Sequence, residues 1–201
     1  METLVLARHA AAGSNRDGLA SCSVPGPGLT PEGVEQARAL GEALAAEQIE
    51  LGVTSELRRT QETLEIALEG RDVPTILIPE LDEIHFGSFD GGLLAEYRAW
   101  AAAHAPDLPA PGDGESRAQA AARFARGLRR VLERPERLIL LVGHALCIRY
   151  FLDGAEGLVP APLMVPLDHA TAYRLTAAEA VGAAELLEEW SEAPAFRPLP
   201  V

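Results

Sequence analysis

The chain has 201 residues, of which 48% are hydrophobic and 23% are charged. This length and composition predict one globular domain and exclude a disordered chain, because enough apolar surface is available to form a core. The two cysteines are too few for a disulfide framework. No apolar run approaches the roughly 20 residues that a membrane span needs, and the N-terminus is typical of a strand instead of a signal peptide. We therefore expect a cytoplasmic protein with no membrane contact.

The formal net charge is −13 at pH 7, and all 17 basic residues are arginine. Without lysine, the chain cannot be a P-loop kinase, a pyridoxal enzyme or a Schiff-base aldolase, because each of these needs a lysine amine. The negative charge argues against nucleic acid as a partner, since binding to phosphate backbones is driven by an excess of cations. An anionic ligand must instead be bound by a local cluster of arginine and histidine.

The first part of the chain alternates between apolar runs and amphipathic segments. Residues 3–7 predict a buried strand, which is followed by a loop rich in small and turn-forming residues. Residues 30–32 supply an N-cap, a proline and an acid, and so predict the start of a helix that continues to about residue 48. A strand at 49–54, a helix at about 57–68 and a strand at 73–78 are predicted next.

The segment from about 79 to 115 is rich in glycine and proline and predicts a small cap-like insertion, with a helix at about 93–103, over one edge of the sheet. Ser116 fits a capping box for a helix that ends near Glu133. The remaining predicted elements are a strand at 138–142, a helix at 145–152 and strands at about 170–175 and 184–188. This alternation predicts a single α/β domain over residues 1–201, a three-layer sandwich in which helices flank a mostly parallel sheet.

Chemically reactive side chains follow three of the predicted strands. Arg8 and His9 follow the first strand, residues 55–59 follow the second, and His144 follows the strand at 138–142. Ligands of parallel α/β sheets bind beyond the carboxyl ends of the strands, so we expect these groups to converge. Arginine matches the geometry of phosphate oxygens, and histidine can attack phosphorus or donate to it. The pattern therefore predicts an oxyanion pocket.

Other catalytic templates are absent from the sequence. No cysteine is followed six residues later by arginine, and no two aspartates are separated by one residue, which excludes two common phosphatase motifs. Residues 114–118 lack the final glycine of a nucleophile elbow, and Ser116 is explained as an N-cap. No spacing of histidine or cysteine indicates zinc. We therefore expect neither a metal nor a cofactor.

Five ordered segments carry distinctive motifs. Residues 6–10 read Leu-Ala-Arg-His-Ala, and residues 143–145 read Gly-His-Ala. The other three are 29–37 (Leu-Thr-Pro-Glu-Gly-Val-Glu-Gln-Ala), 54–60 (Thr-Ser-Glu-Leu-Arg-Arg-Thr) and 81–91 (Leu-Asp-Glu-Ile-His-Phe-Gly, ending in Asp-Gly). Together they resemble the motifs of the histidine phosphatase superfamily, also called phosphoglycerate-mutase-like. The resemblance runs from residue 3 to about 150, and it departs from the family at Ala10, where glycine is usual, and at residues 11–13.

This resemblance implies a reaction that passes through a phosphohistidine. His9 would be the nucleophile that attacks phosphorus. Arg8, Arg59 and His144 would bind the phosphate oxygens and stabilise the charge of the transition state. The resemblance places the acid that protonates the leaving alcohol at Glu83.

Some of these assignments have alternatives in the sequence. Asn15 stands where the family often has an asparagine, which implies phosphate binding, but an asparagine at this place can also cap a turn. Asp82 or His85 could take the role of Glu83. His169 is interpreted as structural or exposed, although it follows a proline-rich loop that could reach the rim of the pocket.

The interpretation with the most support is a phosphomonoester hydrolase that acts on a small phosphorylated metabolite. A phosphoglycerate mutase shares the chemistry and is the alternative, but the short chain and modest insertion favour hydrolysis. A non-catalytic phospho-ligand binding module would require a damaged nucleophile or acid, whereas His9 and Glu83 are both present. The sequence leaves the individual substrate open, and it leaves open whether the protein is a homodimer.

Overall fold

The computed structural model describes residues 1–198 of the chain. Its strands are β1 (Thr3–Arg8), β2 (Leu51–Thr54), β3 (Thr75–Leu77), β4 (Leu138–Gly143) and β5 (Ala172–Thr176). Its α-helices are α1 (Gly13–Asp17), α2 (Pro31–Ala43), α3 (Arg58–Ala67), α4 (Leu94–Ala103), α5 (Arg117–Leu132), α6 (Ala145–Ala155) and α7 (Ala177–Glu192). Two single 3₁₀ turns, Pro79–Leu81 and Gly87–Phe89, lie between β3 and α4.

The strands form one sheet in the order β3–β2–β4–β1–β5. The first four strands of the chain are parallel, and β5 pairs antiparallel with β1 at one edge. Leu4 and Leu6 of β1 pack on the side of α5, α6 and α7, whereas Val5 and Ala7 pack on the side of α2 and α3. Because both faces of the sheet are covered, its central strands are continuous apolar runs. This three-layer arrangement confirms the predicted fold class.

The strand predicted at 184–188 is wrong, because these residues lie within α7. Thr176 and Glu179 form a capping box at the start of this helix: the Glu179 backbone N–H donates to Thr176 Oγ1 at 3.3 Å, and Glu179 Oε2 accepts from the Thr176 backbone N–H at 2.7 Å. Ala180, Ala183, Ala184 and Leu187 are buried along one helical face. Alanine has the highest helix propensity, and this preference determines the structure of the segment.

Smaller differences concern the ends of elements. The loop predicted after β1 contains the short helix α1, the strand predicted at 73–78 is limited to β3, and the helix predicted to reach residue 48 ends at Ala43. The helix predicted after Ser116 begins where expected, with a capping box between Ser116 and Gln119. Within residues 1–198, no helix combines the length and the hydropathy needed to cross a membrane.

The first turn of α2 fixes the loop that follows β1. Thr30 caps α2, since its side chain accepts a hydrogen bond from the Gly33 backbone N–H at 3.0 Å. The Thr30 backbone N–H donates to the Ala11 carbonyl at 2.9 Å. A Cβ at Gly33 would lie 2.0 Å from that carbonyl oxygen, so the close approach requires glycine. The backbone next to His9 is thereby held against a helix terminus.

Candidate active site

The two histidines of the predicted pocket follow neighbouring parallel strands. His9 follows the last residue of β1, His144 follows the last residue of β4, and the register pairs Arg8 with Gly143. The His9 backbone N–H donates to the Gly143 carbonyl at 2.9 Å. Both histidines are buried, and their ring centroids are 5.4 Å apart. The central strand pair of the sheet therefore sets the separation of the two rings.

Arg59, the second residue of α3, bridges these rings. Its Nε donates to His9 Nε2 at 3.2 Å, and its Nη2 lies 3.2 Å from His144 Nδ1. Nη2 also donates to the Ser21 carbonyl at 3.0 Å. Nη1 is buried and has no hydrogen-bond partner among residues 1–198. The Arg59 guanidinium thus lies beside both histidines, and one of its three nitrogens is unpaired.

The hydrogen bonds of His9 determine which ring nitrogen is protonated. Nδ1 lies 2.8 Å from the Ala10 carbonyl, which can only accept, so Nδ1 carries the proton. Nε2 then holds a lone pair, in agreement with its acceptance of the hydrogen bond from Arg59. Burial lowers the pKa of His9 well below 6.5, and the charges of Arg59 and Arg8 lower it further. Near neutral pH, His9 is therefore a neutral imidazole with a nucleophilic Nε2.

Two hydroxyl groups orient His144 from behind. Its Nε2 lies 2.9 Å from Ser55 Oγ, which in turn lies 2.9 Å from Thr60 Oγ1. Thr60 donates its proton to the Leu57 carbonyl at 2.8 Å, so Ser55 donates to Thr60 and accepts from His144 Nε2. Burial lowers the pKa of His144 well below 6.5, and the charge of Arg59 acts in the same direction. The network keeps Nδ1 of His144 towards Arg59.

Glu83 lies between the two 3₁₀ turns, and its side chain is 14% exposed. Its Oε2 is 4.0 Å from His144 Nδ1, and its Oε1 accepts a hydrogen bond from the Ile84 backbone N–H at 3.0 Å. Burial raises the pKa of Glu83, although the charge of Arg59 opposes this effect. A carboxyl group with a raised pKa is suited to give a proton to a leaving group and then to take one from water.

The two alternative acids lie outside the cleft that contains His9. Asp82 Oδ1 accepts a hydrogen bond from the Glu56 backbone N–H at 2.7 Å, and burial raises the pKa of Asp82 to about 6. His85 is exposed. Glu83 lines the cleft, whereas neither alternative does. Of the three candidates for the acid, Glu83 is therefore the one whose side chain lines the cleft with His9.

Arg123 on α5 holds the loop that carries Glu83. None of the five sequence motifs contains Arg123. Its guanidinium donates to the carbonyls of Glu80, Asp82 and Glu83 at 3.1, 2.8 and 3.2 Å. It also forms an ion pair with Glu115 at 2.6 Å. These bonds fix the peptide groups on both sides of the Glu83 side chain and so hold it in the cleft.

Arg8 and Asn15 also line the cleft. Arg8 Nη1 donates to the Leu167 carbonyl at 2.7 Å, and its Nε is buried without a partner in the described part of the chain. Asn15 Oδ1 accepts a hydrogen bond from the Ala12 backbone N–H at 3.0 Å, which is the turn-capping contact considered from the sequence. Phosphate binding by Asn15 stays a prediction.

His169 joins this cluster, although the sequence indicated only its nearness to the pocket rim. Its Nδ1 donates to the His9 carbonyl at 2.7 Å, and the two ring centroids are 5.5 Å apart. Burial lowers the pKa of His169, and the charge of Arg8 lowers it further. His169 therefore holds the backbone of His9 from the side of β5.

The lining of the cleft above His9 has two chemically different parts. One part consists of Arg8, His9, Arg59 and Glu83. The other part consists of apolar side chains of α4, of residues 84–86 and of residues 162–166, together with three polar ones. These are Tyr97, Arg98 and Arg117. Among residues 1–198, no group of three or more His, Cys, Asp or Glu side chains is arranged to hold a metal ion.

A family model described as histidine phosphatase superfamily (branch 1) matches residues 4–189, a range that includes every residue of this site. The chain belongs to the histidine phosphatase superfamily. The match confirms the resemblance found in the five motifs and extends it beyond residue 150, through α7.

Within this superfamily, the chain is similar to proteins of two activities. The adenosylcobalamin/alpha-ribazole phosphatase of Escherichia coli K12 is 37% identical over 119 residues, which cover 55% of this chain and 58% of the relative. A 2,3-bisphosphoglycerate-dependent phosphoglycerate mutase of Methylobacterium sp. 4-46 is 32% identical over 92% of this chain and 97% of the relative. The alpha-ribazole phosphatase structure from Shigella flexneri has a TM-score of 0.73 and 28% identity, over 86% of this chain and 89% of that chain. The match thus spans less than two thirds of the curated alpha-ribazole phosphatase.

Proposed function

We propose that this superfamily member is a phosphomonoester hydrolase that acts on a small phosphorylated metabolite through a phosphohistidine intermediate. The observation that carries the proposal is the state of His9: a buried, neutral imidazole whose unprotonated Nε2 faces Arg59 at 3.2 Å. The Arg59 guanidinium that contacts this nucleophile can also bind the equatorial oxygens of a phosphate. A phosphate bound there would have its phosphorus next to His9 Nε2. The similarity to alpha-ribazole phosphatases supports hydrolysis.

The reaction has two steps. In the first, His9 Nε2 attacks phosphorus, the N–P bond forms, the ester P–O bond breaks, and Glu83 gives its proton to the leaving oxygen. In the second, the Glu83 carboxylate takes a proton from water, the water oxygen attacks phosphorus, and the N–P bond breaks to regenerate His9. Arg8 and Arg59 donate to the transferred oxygens in both steps. His144 joins them through Nδ1 once the negative charge of the bound phosphate has favoured protonation of that nitrogen. Each such donor typically contributes about 3 kcal/mol to stabilisation of the transition state.

The arginines supply the positive charge that a metal ion provides in many phosphoryl-transfer enzymes, so the proposed reaction is independent of metal. Cys22 and Cys147 are free and buried, which is the usual state of cysteines in a reducing compartment and supports a cytoplasmic location. The mutase relative, which matches along 92% of the chain, makes phosphoryl return to the substrate the second candidate.

The decisive experiment follows phosphate release from a panel of phosphomonoesters by the purified chain. Wild type should release phosphate, and His9→Ala should reduce release to the uncatalysed background, because the neighbouring imidazoles of His144 and His169 are held away by their own hydrogen bonds. His104→Ala is the matched control, since His104 is exposed and lies outside the cleft. Circular dichroism should show the same fold for all three proteins. Full activity of a folded His9→Ala variant would refute the mechanism.

The same proteins distinguish the intermediate and the alternatives. Rapid quenching of wild type with a labelled ester should trap a phosphoenzyme that is stable in base and labile in acid, and His9→Ala should trap none. Label that is stable in acid would indicate a serine, threonine or tyrosine ester instead. Phosphorus NMR separates the mutase alternative, because a mutase converts 3-phosphoglycerate to its 2-phospho isomer without net release of phosphate. Binding of phosphate esters without any turnover would indicate a binding module.

A further inference from the structure

Within residues 1–198, three buried side-chain polar atoms have no hydrogen-bond partner: Arg8 Nε, Arg59 Nη1 and the Tyr97 hydroxyl. All three residues line the same cleft. The two arginines belong to the part of the lining that contains His9, whereas Tyr97 belongs to α4. An unpaired buried donor destabilises the unliganded protein, so its retention at this place points to a ligand group.

Arg117 faces the same region as Tyr97. Burial raises the pKa of Tyr97, and the largest opposing influence is the charge of Arg117. Arg117 Nε donates to the Tyr150 hydroxyl at 2.6 Å, and its Nη2 donates to the Ala161 carbonyl at 3.5 Å. In the described part of the chain, Arg117 Nη1 makes no hydrogen bond, and it is not one of the three buried atoms, so this nitrogen is accessible although Arg117 as a whole is only 8% exposed. One nitrogen of a buried guanidinium is therefore available on the cleft wall.

The position of Arg117 in its helix is electrostatically unfavourable. It is the first residue of α5, a helix of 16 residues, and the N-terminus of a helix carries partial positive charge. A cation at this end is repelled by the helix, whereas an anion is attracted by the helix and by the guanidinium together. The combination therefore favours an anionic ligand group beside Arg117.

The distribution of arginines across the protein gives the same result. Among residues 1–198, eleven arginines lie within 4.0 Å of a carboxylate, and six do not. Four of those six line the cleft: Arg8, Arg59, Arg98 and Arg117. Arg8 and Arg59 match the charge of one phosphate monoester. Arg98 and Arg117 then remain for a second anion.

We propose that the apolar part of the cleft binds a carboxylate of the substrate, through the Tyr97 hydroxyl and Arg117 Nη1. Two single donors match the two oxygens of a carboxylate, whereas a second phosphate has three oxygens to satisfy. Arg98 follows Tyr97 on α4 and is exposed, so it adds positive charge at the mouth of the cleft. This inference rests on the proposed function and specifies its substrate class, a small phosphorylated carboxylic acid.

Matched esters test the carboxylate directly. 3-Phosphoglycerate and glycerol 3-phosphate differ only by a carboxylate in place of a hydroxymethyl group, and phosphoglycolate and 2-hydroxyethyl phosphate form a second such pair. Wild type should prefer the acid of at least one pair by about tenfold or more in kcat/KM, the effect typical of one hydrogen bond to a charged group. Equal rates within both pairs would overturn the proposal. A stronger preference for a sugar bisphosphate would indicate a second phosphate instead.

Two variants assign the preference to these residues. Tyr97→Phe removes a hydroxyl that has no hydrogen-bond partner among residues 1–198, so the fold should be retained, while the ratio of kcat/KM within the preferred pair falls about tenfold. Arg117→Gln should lower the same ratio, because kcat/KM should fall for the acid of the pair and not for the matched alcohol. Tyr173→Phe and Arg126→Gln make the same chemical changes outside the cleft and should leave the ratio as in wild type. An unchanged ratio in both test variants would overturn the assignment.

Failure of the carboxylate site can be distinguished from failure of the proposed function. If p-nitrophenyl phosphate is hydrolysed but the pairs show no preference, the carboxylate site is wrong and the phosphatase assignment stands. If no ester is hydrolysed, the phosphatase assignment is wrong. Titration calorimetry with the same pairs then decides the carboxylate site, which requires tighter binding of the acid in wild type and loss of this difference in Tyr97→Phe.

Discussion

Replacement of Glu83 by glutamine removes a transferable proton and changes little else. A glutamine oxygen can still accept the hydrogen bond that the Ile84 backbone N–H donates to Glu83 Oε1 at 3.0 Å. Arg123 holds the loop through the backbone carbonyl of Glu83, a group that the substitution leaves in place. The variant therefore separates proton transfer from the position of the loop.

The expected loss depends on the leaving group. General acid–base catalysis typically contributes about 10²- to 10⁴-fold, or about 3–5 kcal/mol of the barrier. An alkoxide is a poor leaving group unless it is protonated. Glu83→Gln should therefore hydrolyse an alkyl phosphate more slowly than wild type by this factor. With p-nitrophenyl phosphate the leaving group departs as a stable anion, so transfer to His9 should be nearly unaffected. Attack of water on the phosphohistidine still needs a base, and this second step should become slow.

The assay is a stopped-flow measurement of nitrophenol. Glu83→Gln should release a burst of nitrophenol close to one equivalent per site, followed by a slow steady rate, and the phosphoenzyme should accumulate. Glu96→Gln is the matched control, because Glu96 is exposed on α4 and does not line the cleft. Equal losses on alkyl and nitrophenyl esters, without a burst, would show that Glu83 only positions the loop. Asp82 and His85 would then be tested in the same way.

Two further predictions concern pH and oxyanions. Burial lowers the pKa of His9 well below 6.5, so the unfolded state binds this proton at a higher pH than the folded state does. The contribution of His9 to stability is therefore complete above pH 6.5 and is lost as the pH falls towards the pKa of the folded state. Urea unfolding at about pH 7.5 and about pH 5.5 should therefore show a larger loss of unfolding free energy for wild type than for His9→Asn, by up to about 1.4 kcal/mol per pH unit, and equal losses would contradict the lowered pKa. Vanadate should inhibit in competition with substrate, and EDTA should leave the rate unchanged; a rate that requires added Mg²⁺ would refute the metal-independent mechanism.

Most of the sheet is predictable because its signal is local and strong. Residues 138–142 form an uninterrupted apolar run, which fits a strand covered on both faces, and the N-cap at Thr30 marks the start of α2. The strand predicted at 184–188 failed because a short stretch of mixed apolar and polar residues fits either period. The capping box at Thr176, eight residues before residue 184, indicates that this stretch belongs to a helix.

The residues of the site likewise include some that the sequence predicts and some that it does not. His9 and His144 could be brought together from the sequence, since parallel strands end at one edge of a sheet and each histidine directly follows a strand. Arg123 and Arg117 could not, because each acts on groups more than thirty residues away in the chain and neither stands at a strand end. The sequence position of Tyr97 fits helix packing as well as ligand binding. Only the lack of a partner for its hydroxyl, as far as residues 1–198 show, separates the two roles.

The pairing of β1 with β4 makes the site an indicator of the whole folding reaction. His9 and His144 are separated by about two thirds of the chain, yet their spacing depends on adjacent strands in the middle of the sheet. Closing so large a loop gains nothing until the strands meet, so the catalytic cluster cannot exist in a partly folded chain that lacks the central pair. Recovery of turnover during refolding should therefore coincide with formation of the complete sheet and lag behind formation of the individual helices. A nascent chain that emerges from the ribosome can have no activity until β4 has been synthesised.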